Sequence, residues 1–131
     1  MEHIIGTSHT VTITVGEADL AVAVGSGDLP VLATPRMAAL MEQAAAELAA
    51  TLLDDGITTV GIALNISHTA PTLTGATVSA KATLTETDGR RFSFDVTAFD
   101  NVGEIGAGTH ERVSVKAERF LEKAAARTQD K

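Results

Sequence analysis

The sequence predicts an α+β fold in which a curved antiparallel β-sheet wraps around one long central helix. Three observations carry this. A single segment has strong helical periodicity, and several others alternate apolar and polar residues with a period of two. The segments after the helix are joined largely by tight turns, which suffice between antiparallel neighbours, whereas parallel neighbours need long crossovers.

Thr10 to Val15 alternate Thr with Val or Ile, the pattern of a half-buried strand. Gly16 breaks the run, and Leu20, Val22 and Val24 mark a second short extended piece. Gly25 to Pro30 is a loop by composition, suited to a lid or to a plain connector. Thr34 is a good N-cap and Pro35 a good first helical residue. Met37, Leu40, Met41, Ala44, Ala45, Leu48, Leu52 and Leu53 then form one apolar stripe, and Asp55-Gly56 closes the helix.

Strands follow. Val60, Ile62, Leu64, Ile66 and His68 fall on one face of the first, and Ala76 to Leu84 alternate in the second. Asp88-Gly89 signals a hairpin, Phe92 to Ala98 form the return strand, and Ile105 to Val115 the last. Ala117 to Arg127 reads as a short polar helix or tail. One helix on a curved antiparallel sheet is the hot-dog architecture. It covers only part of the sheet and leaves two edges open, so pairing of two copies is the expected completion.

The 131 residues fit one domain over 1–131. Ten basic and seventeen acidic side chains give a net charge of −7, which repels phosphate backbones and argues against a nucleic-acid partner. With no cysteine, a thiolate nucleophile and Cys-ligated metals are excluded. No apolar run approaches the ~18 residues of a membrane span, and the N-terminus lacks the features of a signal peptide, so a cytoplasmic protein is expected.

Glu42 interrupts the helix beside its apolar stripe, and His68 ends an apolar strand face. Each has an ordinary reading, a margin carboxylate reaching water and a hydrogen-bonded structural imidazole. Together they place an acid and a base at the helix–sheet contact layer, where shifted pKa values suit the activation of water. Thr34 is explained as a cap, and Arg112, on a strand face with His110 and Ser114, as a surface ion-pair partner. The loop Thr69 to Gly75 is rich in hydroxyls, suited either to presenting backbone N–H groups to an anion or to a plain connection.

Ser67-His68-Thr69-Ala70 with Pro71 and Gly75, Glu104-Ile105-Gly106, and Gly108-Thr109-His110-Glu111-Arg112 resemble the fluoroacetyl-CoA thioesterase family of hot-dog proteins. Leu40-Met41-Glu42, with Thr34 eight positions earlier, resembles that family's helix motif. The resemblance implies a homodimeric thioesterase that hydrolyses an acyl-CoA, with sites at the dimer interface and no metal or redox cofactor. It implies Thr34, Glu42 and His68 as catalytic residues, and Gly61 and Arg112 as substrate-binding residues. His68 would be general base or acid, Glu42 would activate water or attack the thioester, and Thr34 would attack or position. Main-chain N–H groups near Gly61 would hold the oxyanion, and Arg112 would bind a CoA phosphate or orient a carboxylate.

The family's fluorine-selective member has phenylalanines in the lid before the catalytic threonine, whereas Gly25 to Leu32 contains none. The expectation is therefore a short- or medium-chain acyl-CoA hydrolase without fluoroacetyl selectivity. Two rivals are an enoyl-CoA hydratase or dehydratase of the same fold and a non-catalytic acyl-CoA binding module. Eight residues of helix span ~12 Å, so Thr34 and Glu42 of one chain cannot touch across an unbroken helix. Either the helix starts later or the site is completed across two chains.

Overall fold

The computed structural model describes residues 4–129. Five antiparallel strands form one sheet in the order β1-β3-β4-β5-β2: β1 (Ser8–Thr14), β2 (Ile57–His68), β3 (Thr77–Thr87), β4 (Arg91–Phe99) and β5 (Glu104–Lys116). The β3–β4 hairpin turns at Gly89, whose φ of 93° suits a residue without a Cβ. The carboxylate of Asp88 accepts hydrogen bonds from the main-chain N–H groups of Arg90 and Arg91 there. These contacts lower the pKa of Asp88.

The long helix α2 (Thr34–Ala50) lies on the concave face of the sheet. Its buried stripe is Met37, Leu40, Met41, Ala44, Ala45, Leu48 and Ala49. Opposite it, β3 presents Val78, Ala80, Ala82 and Leu84, and β4 presents Phe92, Phe94, Val96 and Ala98, all buried. Alanines on both surfaces let helix and sheet approach closely, and Phe92 and Phe94 supply the largest buried side chains of the same layer. The hot-dog architecture expected from the alternation is the one observed.

Three local expectations change. Of Leu20 to Val24 only Leu20 is extended: a 3₁₀ turn at Glu17–Asp19 leads to it, and the short helix α1 (Ala21–Val24) follows. Leu20 makes an isolated antiparallel bridge with Leu32, with Ala21 N–H donating to the Val31 carbonyl and Ala33 N–H to the Asp19 carbonyl. The cap of α2 is Ala33 rather than Thr34, with Thr34 and Pro35 as its first two residues. Finally, α2 ends at Ala50, where Thr51 Oγ1 donates to the Leu48 carbonyl, while Leu52 and Leu53 still pack on the core from the turn beyond.

The edge strand β2 is thinly covered, with Ile62 46% and Leu64 36% exposed and no charged residue along its length before His68. The chain closes with α3 (Ala117–Gln129), reached directly from β5. Among the described residues, no helix is long and apolar enough to cross a membrane.

Candidate active site

The candidate residues form two clusters, one at each end of β2. At the first, His68 ends β2 opposite Gly106, against the start of α2. Thr34 Oγ1 and His68 Nδ1 are 2.7 Å apart. Because Ala33 caps the helix without a side-chain bond, the Thr34 hydroxyl is free for this contact. His68 Nε2 is buried and has no hydrogen-bond partner. Burial pulls the His68 pKa below 6.5, and the Ala70 main chain opposes this only in part, without bonding Nε2. A cavity of about 300 Å³ opens beside the pair, bordered by Ser26, Val31 and Leu32 on one side and Ala70 and Pro71 on the other.

The second cluster gathers Glu42, Gly61 and Arg112 around a cavity of about 390 Å³. Gly61 is closely flanked: a Cβ there would stand 3.0 Å from Glu42 Oε2, 3.1 Å from His110 Cε1 and 3.5 Å from Arg112 Nη1, so these side chains would have to give by a few tenths of an ångström. Arg112 is only 8% exposed, not the surface partner its simplest reading allowed. Its Nε donates to Thr59 Oγ1 at 2.8 Å, Nη2 to the Thr59 carbonyl at 2.9 Å, and Nη1 reaches His110 Nε2 at 3.2 Å. Desolvation lowers its pKa from the ordinary arginine value, and the charge of Glu42 opposes that.

His110 and Thr59 hold this arrangement, and neither was singled out from the sequence. His110 is 1% exposed and stacks on Phe94. Its Nδ1 lies 2.8 Å from the Ala63 carbonyl, which can only accept, so Nδ1 carries the proton and Nε2 is left to accept from Arg112. Desolvation lowers the His110 pKa, and the Arg112 charge adds to this; the bond to Ala63 and the Glu42 charge act against it. The available signal was the period-two placement of His110 on the face of Arg112.

A β-bulge decides which residues of β2 share a face. Gly61 pairs with Arg112 and Ala63 with Glu111, so Ile62 is an extra residue in the ladder. Thr59 and Gly61 therefore face α2 together with Leu64, Ile66 and His68. The uninterrupted alternation of Val60 and Ile62 with His68 does not hold. The hydroxyl-rich loop after His68 is spent on structure: Thr69 N–H and Oγ1 both donate to the Ile105 carbonyl, and Thr72 Oγ1 donates to Asp100.

Thr34 and His68 thus come together, as do Glu42, Gly61 and Arg112. The structure does not bring Glu42 to His68 within one chain, because α2 runs unbroken from Thr34 past Glu42 and separates them by ~12 Å of helix. Of the two options left by the sequence, a later helix start does not occur, since α2 begins at Thr34 and holds the two groups in separate clusters of one chain.

The sequence model of the fluoroacetyl-CoA-specific thioesterase family matches residues 15–118. The chain is 43% identical over 98 residues to the fluoroacetyl-CoA thioesterase of Streptantibioticus cattleyicolor, covering 75% of this chain and 70% of that one. It superposes on the solved fluoroacetyl-CoA thioesterase FlK with a TM-score of 0.88 at 35% identity, over 93% of this chain and 95% of the other. FlK has also been solved as a threonine-to-serine variant in complex with acetyl-CoA. A hot-dog-like protein from Thermanaerovibrio acidaminovorans shares the fold at 24% identity, with a TM-score of 0.84 over 94% of this chain and 91% of its own. By sequence and by architecture, the chain belongs to the fluoroacetyl-CoA-specific thioesterase family.

Proposed function

We propose that the protein hydrolyses a short- or medium-chain acyl-CoA to the free acid and CoA, working as a homodimer whose two half-sites meet across β2. The observation that carries this is the 2.7 Å contact between Thr34 Oγ1 and His68 Nδ1, with a buried Nε2 that finds no partner in its own chain. A hydroxyl donating to Nδ1 requires the ring proton on Nε2, and a proton buried there asks for a carboxylate or a substrate oxygen.

The free edge of β2 supplies a means. A two-fold pairing of antiparallel strands sets each residue near the axis opposite its own copy. Centred at Asn65, with Ile62 the extra residue, such a pairing sets Gly61 opposite the partner subunit's His68 and brings the Glu42 cluster with it. The uncharged, exposed edge of β2 favours such an addition.

In this arrangement Thr34 Oγ attacks the thioester carbonyl carbon while His68 takes its proton. The C–S bond then breaks, and the CoA sulfur leaves with the proton held by His68. Water, deprotonated by His68, cleaves the resulting threonyl ester to release the acid. Glu42 of the partner subunit orients and stabilises the imidazolium, and the main chain at Gly61 lies open to the developing oxyanion because no side chain blocks it. Arg112 places positive charge beside Glu42 and the acyl end. The reaction draws on the chain's own side chains, with no cofactor.

The lid supports a substrate without fluorine selectivity. The stretch from Gly25 to Leu32 offers the aliphatic side chains Leu29, Val31 and Leu32 and no aromatic ring.

The test is complementation. His68→Ala and Glu42→Gln should each lower kcat on acyl-CoA by roughly 10²–10⁴-fold. Unfolded together and refolded as a mixture, they should recover up to about a quarter of the wild-type rate, since half the dimers carry one intact site. Near-normal turnover by either variant alone would remove the catalytic assignment; no recovery on mixing would place both groups in a single chain's site.

A further inference from the structure

We propose that a cationic cavity beside the C-terminal helix binds the phosphates of the CoA portion of the substrate, with Arg90, Lys116, Arg119 and Lys123 as the binding groups. This rests on the thioesterase reading above and extends it to the nucleotide end of the ligand.

The cavity, of about 420 Å³, lies where the tip of the β3–β4 hairpin, the end of β5 and the first two turns of α3 meet. Four of the chain's ten cations line it and no acid does. Asp55, Glu118 and Glu122 border a neighbouring cavity, which Lys116 and Arg119 also line, so those two cations stand between the acidic and the cationic side. Of the other cations, Arg36 pairs with Asp19 at 2.8 Å, Arg91 pairs with Glu111 at 3.3 Å and Arg112 is buried, whereas Lys81 and Arg127 stand apart from this cluster. Among the described residues, none of the four cavity cations is in an ion pair.

Arg119 lies in the first turn of α3, where exposed N–H groups add positive potential that Glu118 in the same turn offsets in part. A bound polyanion would meet both the cationic side chains and these N–H groups. Such a device is required if the substrate is an acyl-CoA. A protein of net charge −7 repels a ligand carrying three phosphate groups, so entry depends on a local patch of opposite sign.

The cavity is also placed where the coenzyme would reach. Arg112, Ser114 and Lys116 lie on one face of β5, and the Arg90 carbonyl accepts from Ser114 N–H at 2.8 Å. From Arg112 to Lys116 is four residues, ~13 Å of strand. The pantetheine arm, with its two amide linkages, has about that extended length. Phe120, 41% exposed at the cavity, offers a ring face to a purine.

The variant Arg119→Ala/Lys123→Ala tests this away from the catalytic clusters. Wild type and variant are compared on an acyl-CoA and on the same acyl group carried by pantetheine, which lacks the phosphates and the adenosine. The expected result is a rise in KM of roughly tenfold or more for acyl-CoA alone, with kcat unchanged on both. Rising salt should narrow the difference. Equal effects on both substrates, or none, would overturn the proposal. Should the wild type hydrolyse neither, calorimetry with adenosine 3′,5′-bisphosphate decides separately. Binding by wild type and not by the variant supports the site while the hydrolase reading fails; no binding by wild type, or equal binding by both, rejects the site.

Discussion

His110 Nδ1 donates a 2.8 Å hydrogen bond to the Ala63 carbonyl, immediately after the β2 bulge, while its Nε2 receives Arg112 at 3.2 Å. One buried imidazole thereby ties a backbone irregularity to a buried cation. Replacing it with alanine leaves a carbonyl and a guanidinium N–H without partners, each costing about 1–3 kcal/mol. His110→Ala should lower the unfolding midpoint markedly, and His110→Asn, which can both donate and accept, should recover part of the loss. Thermal unfolding of both variants checks this.

The same burial makes stability depend on pH. His68 and His110 both have pKa values below 6.5 in the folded chain, chiefly from desolvation. The unfolded chain therefore binds protons that the folded chain refuses as the pH drops below about 6.5. Their stabilisation is full above that value and is lost as the pH falls through it towards the folded pKa values. Denaturant midpoints between pH 7.5 and 5 should decline, and His110→Gln should flatten the decline.

Activity should follow His68 in the same direction. A lowered pKa keeps the imidazole neutral, and able to take a proton, at pH values where an ordinary histidine is charged. In the dimer the partner subunit's Glu42 acts against this, so the acid limb of kcat/KM for acyl-CoA should move to lower pH in Glu42→Gln, and an unmoved limb would contradict the assignment.

Gly61→Ala separates function from folding. The new methyl would press on Glu42 Oε2 and His110 Cε1 at 3.0 and 3.1 Å. A carboxylate can swing aside, so the cost in stability should stay near 1–3 kcal/mol. The displaced acid and the occupied space should lower kcat/KM at least tenfold. Steady-state kinetics alongside thermal unfolding distinguish the two effects.

Gly108 should behave in the opposite way. A Cβ there would stand 2.7 Å from Ile66 Cα and overlap the Asn65 carbonyl, both backbone atoms of β2. Backbone yields less readily than a side chain, so Gly108→Ala should cost several kcal/mol, beyond the usual overpacking range of about 1–3 kcal/mol. Denaturant unfolding reads the loss directly.

For the substrate, the aliphatic lid leads to weak discrimination. The kcat/KM values for fluoroacetyl-CoA and acetyl-CoA should lie within about tenfold of one another, the range accessible to small apolar contacts. A much larger ratio in a parallel thiol-release assay would show that another part of the site reads fluorine.

Much of this architecture could be read from residue patterns. The stripe from Met37 to Leu48 and the alternation from Ala76 to Ala98 each bury one side against the other, so periodicity reports their partner directly. Leu20 to Val24 misled because Ala and Val alternate over too few residues to distinguish a strand from a single helical turn. Thr34 has the chemistry of a cap, yet its hydroxyl is committed to a histidine 34 positions away, a contact no local rule contains. The environment of Arg112 was hidden for the same reason, since Thr59 lies 53 residues from it. The bulge at Ile62 has no residue signature of its own: its neighbours continue to alternate while the ladder shifts beneath them.

That shift gives β2 a parity rule. Gly61 and His68 are an odd number of positions apart and still address the same side of the sheet, which an unbroken ladder forbids. Deleting one residue between them would turn one of them outward unless the ladder's extra residue is the one lost, whereas removing two would preserve their orientation and shorten the reach. Length variation in this segment is therefore tolerated in even steps, and a homologue with an odd change must either lose the extra residue of the ladder or reassign the roles at its two ends.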